Sequence, residues 1–489
     1  MTAHLPILIV VVPLIAALLA PLVCRVSVRV TRLLTVLAPA VSLAASVAAL
    51  RAALRDGPWH YQLGGWAPPW GIEYVVDPLG GSMATLVSLL ATLVAVYAGD
   101  YLRRSSPLRA AVFDSLFLLL TAGLLGITLT GDLFNLYVFL EISSLAAYAL
   151  LAAGTEQAVV AAFRYLLVGT IAATFYLLGL GYLYALTGTL NMGDLAQRLT
   201  EVPAGSAMNV GIVLIVVGLA IKMAVFPLHG WMPDAYTYAP PPVTMFIAAV
   251  MSKVSAYALV RVLFFVVPPT DAVHTILDVL GWVAAAGVLA GSVLALAQTD
   301  LRRMLAYSSV GQIGYVVLGL SIGNAAALTG ALLHVAGHAV SKACLFGVVG
   351  GMPRTTVQAE MAGFAGAARR APLAMAAFTV AALSLIGLPP TAGFFSKWYL
   401  LQGALEAGRW SLAVVLLLSS LLSAVYFFRV IERIYFAGDA APTGEPIVSG
   451  PDRSLRLLAP ILTLGAAVLL IGLFNGRLVA GVIRLALPE

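Results

Sequence analysis

The chain has 489 residues, of which 61% are hydrophobic and only 10% charged, with a formal net charge of +6. A water-soluble domain carries about 25% charged residues, so this composition excludes a soluble globule and indicates a protein that crosses a bilayer many times. The basic excess does not point to nucleic acid, because the arginines sit in pairs and triplets at the ends of apolar runs, where they serve orientation and lipid headgroups. Cys24 and Cys344 are too few and too far apart for a disulfide framework or a metal site and read as two small apolar residues.

In chain order, about fourteen apolar runs are long enough to span, at roughly 20 residues each. They lie near residues 4–23, 32–52, 78–99, 110–130, 132–153, 160–187, 207–227, 242–267, 273–297, 303–322, 325–350, 371–402, 411–431 and 457–484. The first lacks a basic leader and a small-residue cleavage site, so it reads as a retained helix. The basic joints hold Arg25, Arg29 and Arg32, then Arg103, Arg104 and Arg109, then Arg164, then Arg302 and Arg303. Arg354, Arg369 and Arg370 follow, and Arg433, Arg453 and Arg456 complete the set. These joints alternate onto one face. The positive-inside rule makes that face cytoplasmic and puts both termini on the outer side of a cell (plasma) membrane.

The lysines are distributed differently. There are four, Lys222, Lys253, Lys342 and Lys397, against 23 arginines, and each lies in or beside a long apolar run. An ammonium at the bilayer centre costs at least about 2.5 kcal/mol, so intramembrane charges normally face the bundle interior and mark ion or proton paths. Lysine gives up its proton more readily than arginine when buried. Arginine at the surface with lysine inside is the pattern of a proton handler.

Two segments carry proline and glycine where a straight helix would not. The seventh contains Lys222 and runs through Phe226-Pro227 to Trp231-Met232-Pro233-Asp234, and the twelfth holds Gly387-Leu388-Pro389-Pro390 within about 32 residues. Both are expected to break, since proline removes a helix hydrogen bond and clashes with the preceding turn. A matched pair of interrupted helices is the sequence sign of inverted repeats with an ion path at their interface.

The eleventh segment places His334, His338 and Lys342 at i, i+4 and i+8, a line of about 12 Å on one helix face. Histidine titrates near neutrality and both accepts and donates, which suits a proton relay. Paired histidines at this spacing also occur in zinc sites, but no acidic ligand is near in sequence, and structural histidines are a third reading. In the fifth segment Glu141 lies about two turns inside an apolar helix, where a carboxylate needs a nearby cation to stay charged; Lys222 is the candidate.

Five stretches, in order, resemble one family: the antiporter-like membrane subunits shared by Mrp-type cation/proton antiporters, energy-converting membrane hydrogenases and respiratory complex I. They are Gly131 to Glu141; Lys222 to Asp234 with Pro-Leu-His-Gly-Trp-Met-Pro-Asp-Ala; Asp300 to Ser309; His334 to Phe346; and Gly387 to Lys397. The resemblance implies an all-α polytopic membrane protein of about fourteen helices, with two inverted five-helix repeats and broken helices 7 and 12. Helices 1–3 would occupy 1–109, the repeats 110–267 and 268–436, and helix 14 the remainder to 489. It further implies a central polar axis in which Glu141 and Lys222 pair, Lys253 and His334, His338 and Lys342 bridge, and Lys397 ends the path.

Gln312 falls where many relatives have histidine, which puts a bridging role there in doubt. The wording of Gly131 to Glu141 looks most like the Mrp D-type chain, which implies a multi-subunit monovalent cation (Na⁺)/proton antiporter. No lateral helix is expected after helix 14. The alternatives are a proton-pumping subunit of a complex I or membrane hydrogenase, and, from another class, a stand-alone transporter or passive scaffold. The implied partners are other membrane subunits, protons, a monovalent cation and the lipid bilayer. No cofactor or metal is expected, and the chain shows no cysteine cluster, haem motif or nucleotide fingerprint.

Overall fold

The computed structural model describes residues 4–203, 205–352, 360–437 and 450–488. Arg354 of the basic joints lies outside the described residues. The chain begins with α1 (Leu5–Val26) and α2 (Val28–Asp56), followed by a hairpin of β1 (Trp59–Gln62) and β2 (Glu73–Val76) and by α3 (Pro78–Tyr101). Next come α4 (Pro107–Leu129), α5 (Leu133–Ala152), α6 (Glu156–Thr187), the short α7 (Met192–Glu201), α8 (Ser206–Met223), α9 (Met232–Tyr238) and α10 (Pro241–Arg261). The second half contains α11 (Asp271–Leu296), α12 (Leu301–Ile322), α13 (Ala325–Gly351), α14 (Ala367–Arg370), α15 (Pro372–Ile386), α16 (Ala392–Glu406) and α17 (Trp410–Tyr435). It closes with α18 (Leu455–Leu473) and α19 (Asn475–Leu478).

Thirteen of these helices are long and apolar enough to cross a membrane. The broken pair α15 and α16 makes a fourteenth crossing. An even number of crossings leaves the two ends of the described chain on one face, here called the terminal face. Several helix starts are satisfied by short polar side chains, which supply partners that hydrocarbon does not. Asp132 Oδ1 accepts from the Asn135 amide at 2.7 Å, Asp300 Oδ1 from Arg303 at 2.8 Å and Asn324 Oδ1 from Ala327 at 2.9 Å.

The packing order repeats. α4 lies on α5, α5 on α6, α6 on α8 and α8 on α10; in the second half α11 lies on α12, α12 on α13, α13 on α16, and the α15–α16 pair on α17. Each unit makes five crossings, an odd number, so the second starts on the opposite face and is inverted. Two of the arginine joints meet at Asp234 on α9, which accepts from Arg164, two turns into α6 (2.9 Å), and pairs with Arg303 at the start of α12 (3.4 Å). α10 lies between the units, against α3, α8 and α13, and its whole apolar window is buried.

Both expected breaks occur, for the expected physical reason. α8 ends where Ala224 turns left-handed (φ 60°) and the Val225 amide reaches back to the Ala220 carbonyl at 3.0 Å. A non-glycine residue there costs of order 1–3 kcal/mol, which the surrounding packing must offset. α15 ends at Gly387 (φ 96°), with the Leu388 amide on the Leu383 carbonyl at 3.0 Å. The last segment is not the single helix that 457–484 suggests. α18 stops at Leu473, and the chain turns at Asn475-Gly476 into α19 and irregular helical turns to Ala486, the Asn475 amide donating to the Gly472 carbonyl at 2.8 Å. The hairpin and α7 were not foreseen; they join where Asn191 donates to Glu73 at 2.8 Å.

Candidate functional site

All four lysines are at least nine-tenths buried, and Lys253 and Lys342 are fully so. Lys222 is in the last turn of α8, held there because the chain breaks two residues later. Its Nζ lies 3.3 Å from Glu141 Oε1 and donates to Ser144 Oγ at 2.7 Å. Glu141 and Ser144, three residues apart, share one face of α5, so a single ammonium reaches both. The Glu141 side chain is 27% exposed, against 5% for Lys222. Trp231 closes the break: its indole donates to the Ile221 carbonyl at 3.0 Å and stacks on Tyr165 at 3.8 Å.

Between this pair and α10 is a small void of about 10 Å³, bordered by Lys222, Ser144, Tyr165, Met251 and Ser255. That is close to the space one water needs. Lys253, at the centre of α10, donates to the Ala248 carbonyl of its own helix at 2.5 Å. It lies within Coulombic range of His334, His338 and Lys342.

The row on α13 forms as its spacing requires. The rings of His334 and His338 are 5.8 Å apart and nearly parallel. Lys342 donates to the Leu305 carbonyl at 2.6 Å and to Ser308 Oγ, both on α12. At the other end His334 Nδ1 lies 2.9 Å from Ser396 Oγ, one residue before Lys397 on α16. No group of three metal-ligating side chains occurs among the described residues.

Lys397 bends back across the second break. Its ammonium donates to the carbonyls of Leu385 and Ile386, both at 2.9 Å, and to Ser420 Oγ at 3.1 Å, and lies 4.6 Å from the Tyr315 ring centroid. Those carbonyls are the unpaired end of α15, where the helix dipole is negative. The lysine thus occupies a ready-made cation position.

The structure therefore places the singled-out residues in two groups, Glu141 with Lys222 in the first unit and Lys342, His338, His334 and Lys397 in the second, with Lys253 buried on α10 between the units. Sequence reasoning missed the hydroxyls, Ser144, Ser308, Ser396 and Ser420 with Tyr315. A signal was present for two of them, since Ser144 lies three residues after Glu141 and Ser396 directly precedes Lys397, but Ser308 and Ser420 have no lysine or glutamate near them in sequence. Several buried polar atoms along the row have no protein partner among the described residues: His334 Nε2, both ring nitrogens of His338, the hydroxyls of Ser252 and Ser341, and Gln312 Oε1. More than about 90% of buried polar groups are paired, so this cluster is suited to water.

Residues 130–423 match the family model described as NADH:quinone oxidoreductase/Mrp antiporter, TM. The chain is 55% identical to NADH-quinone oxidoreductase subunit N of Desulforudis audaxviator, covering 100% of this chain and 99% of that protein. It is 33% identical to the D-type chain of the Na(+)/H(+) antiporter of Alkalihalophilus pseudofirmus, covering 84% and 82%. Its fold superposes on a chain of the Mrp complex from Dietzia sp. with a TM-score of 0.87 at 28% identity, over 99% and 96% of the two chains. The wording around Glu141 therefore does not separate D-type from N-type subunits. With fourteen crossings, two inverted units, a buried lysine row and these relatives, the chain belongs to the NADH:quinone oxidoreductase/Mrp antiporter family of antiporter-like membrane subunits, which work beside other membrane subunits in multi-subunit complexes.

Proposed function

We propose that this chain translocates protons along the buried row from Glu141 and Lys222 through Lys253, Lys342, His338 and His334 to Lys397, as the membrane-arm subunit of a redox-driven quinone reductase. The observation that supports it is the placement of all four lysines inside the bundle, each held by carbonyls, hydroxyls or one carboxylate at hydrogen-bond distance. Such groups hold a proton without trapping it, and water joins them where direct contacts stop. The full-length likeness to an N-type relative, at 55% against 33% for a D-type one, favours the redox-linked parent. Quinone reduction then belongs to other subunits. The second reading, an Mrp D-like role in Na⁺/proton exchange, is favoured by the superposition on the Mrp complex. In either case the chain sits in the plasma membrane with the terminal face outward.

The discriminating experiment is purification with native partners, reconstitution into vesicles and measurement of lumenal pH. Proton uptake on adding a quinone and its reductant, insensitive to a sodium gradient, supports the first reading. Proton movement driven by the sodium gradient alone overturns it in favour of the second.

The α13 row gives a separate test. In His338→Gln the ring nitrogens are replaced by an amide that hydrogen-bonds but does not titrate, so a group that can take up and pass on a proton leaves the path. The expected outcome is slower transport, by roughly tenfold or more, with a changed pH profile. A profile coincident with that of the unaltered protein would remove His338 from the route.

A further inference from the structure

On the side of α10 away from Lys222 lies a second, much larger cavity of about 270 Å³. Leu86 of α3, Val316 of α12, Val335 of α13 and Val482 of the final segment contribute to its walls, and Lys253 and Tyr257 border it on α10. On the same measure it is about 27 times the void beside Lys222.

Its few polar groups are already engaged. Ser82 Oγ donates to the Pro78 carbonyl at 2.5 Å, Thr85 Oγ1 to Gly81 at 2.8 Å, Tyr257 Oη to Thr128 at 2.7 Å and Lys253 to Ala248 at 2.5 Å. A cavity lined this way holds water only poorly, since a water needs two to four polar partners and Lys253 alone has donors to spare. Hydrocarbon is the chemistry that fits. The walls lie in the terminal-face halves of α3 and α13, against the segment that follows α18. That segment presents Leu478 and Val482 to the cavity, while Arg477 and Arg484 are exposed and make no ion pair among the described residues. Arg477 lies over the Phe474 ring at 5.6 Å, and two exposed guanidiniums on the segment that walls a hydrocarbon pocket complement a phosphodiester above an acyl chain.

We propose that this cavity holds one acyl chain of an anionic phospholipid whose phosphate is bound by Arg477 and Arg484. Seated there, the chain keeps water off the Lys253 side that faces the cavity and closes a direct leak from the terminal face. This second role rests on the proton-transport reading; the binding does not.

The test uses the protein with its native partner subunits in phosphatidylcholine vesicles doped with phosphatidylglycerol bearing a diazirine at the chain end. After irradiation and digestion, adducts are expected on α3, α13 and the final segment. Replacing Arg477 and Arg484 together by alanine should reduce them roughly tenfold or more, from two lost surface charges at the headgroup. Val482→Trp, which fills the cavity, should abolish them while the complex stays assembled; Ala336→Leu serves if that variant fails to insert. Equal labelling by a diazirine phosphatidylcholine, adducts undiminished in both filling variants, or labelling only of the chain stripped of its partners would each overturn the site, the last showing that a partner subunit covers it. For the leak role, passive proton entry into resting vesicles should rise in the double arginine variant; unchanged entry with lost labelling would overturn that role alone.

Discussion

Replacing Glu141 by alanine is expected to abolish proton transport, with a loss of about 10²- to 10³-fold or more, in a protein that still inserts. Lys222 would be left 5% exposed with only Ser144 as a side-chain partner, and removing one member of a buried ion pair costs about 3–5 kcal/mol. Lys222→Ala should abolish transport equally but damage stability less, because the carboxylate it strands is 27% exposed and can take water as a partner. Two measurements check this: lumenal acidification in vesicles, and the temperature at which each variant loses its detergent-solubilised fold. Near-normal transport in either correctly inserted variant would sink the pairing. Equal destabilisation would show that Glu141 is shielded by a partner subunit in the assembled complex.

Lys397→Arg is the second variant with a large expected effect, although it keeps the charge. A guanidinium with a pKa above about 12 binds its proton at least about fortyfold more tightly than a free lysine near 10.4, so it cannot release it within a transport cycle. Geometry works against it as well. The Lys397 stem runs over Gly387, where an added Cβ would meet its Cδ at 2.9 Å, so the channel for this side chain is narrow. Transport is expected to fall about a hundredfold or more, with insertion intact because the α15 carbonyls still meet a cation. Lys397→Met should lose transport and stability together, since the Leu385 and Ile386 carbonyls lose their ammonium. If the arginine variant transports normally, Lys397 is an electrostatic post at the end of a half-helix.

The two breaks use one device in different ways. In the first unit the lysine precedes the break and is answered by a carboxylate from a neighbouring helix. In the second it follows the break and is answered by the carbonyls of the half-helix it has just left. Carbonyl dipoles stabilise an ammonium less than a full negative charge does, so they hold its proton less firmly. A site resting on them suits a group that gives up its proton readily.

The crossings, the positions of both breaks and the burial of the four lysines and of His334 and His338 were legible in the linear chain, whereas the buried Arg261, Asp114 and Glu73 were not. Each is set by local chemistry: a run of about 20 apolar residues, a proline without an amide hydrogen, an ammonium that hydrocarbon does not tolerate without a reason. The α13 row was legible because a helix has a fixed period. What the chain could not show was which distant groups answer those charges. Glu141 and Lys222 are 81 residues apart, and Lys342 meets carbonyl and hydroxyl oxygens 34 to 37 residues earlier. Backbone carbonyls carry no residue signature, so the Leu305, Leu385 and Ile386 oxygens became ligands only when packing aimed them inward. The hairpin between α2 and α3 and the broken end of the last segment were hidden for a related reason. Short elements are stabilised by what they rest on more than by their own propensity, and only the tertiary structure supplies that support.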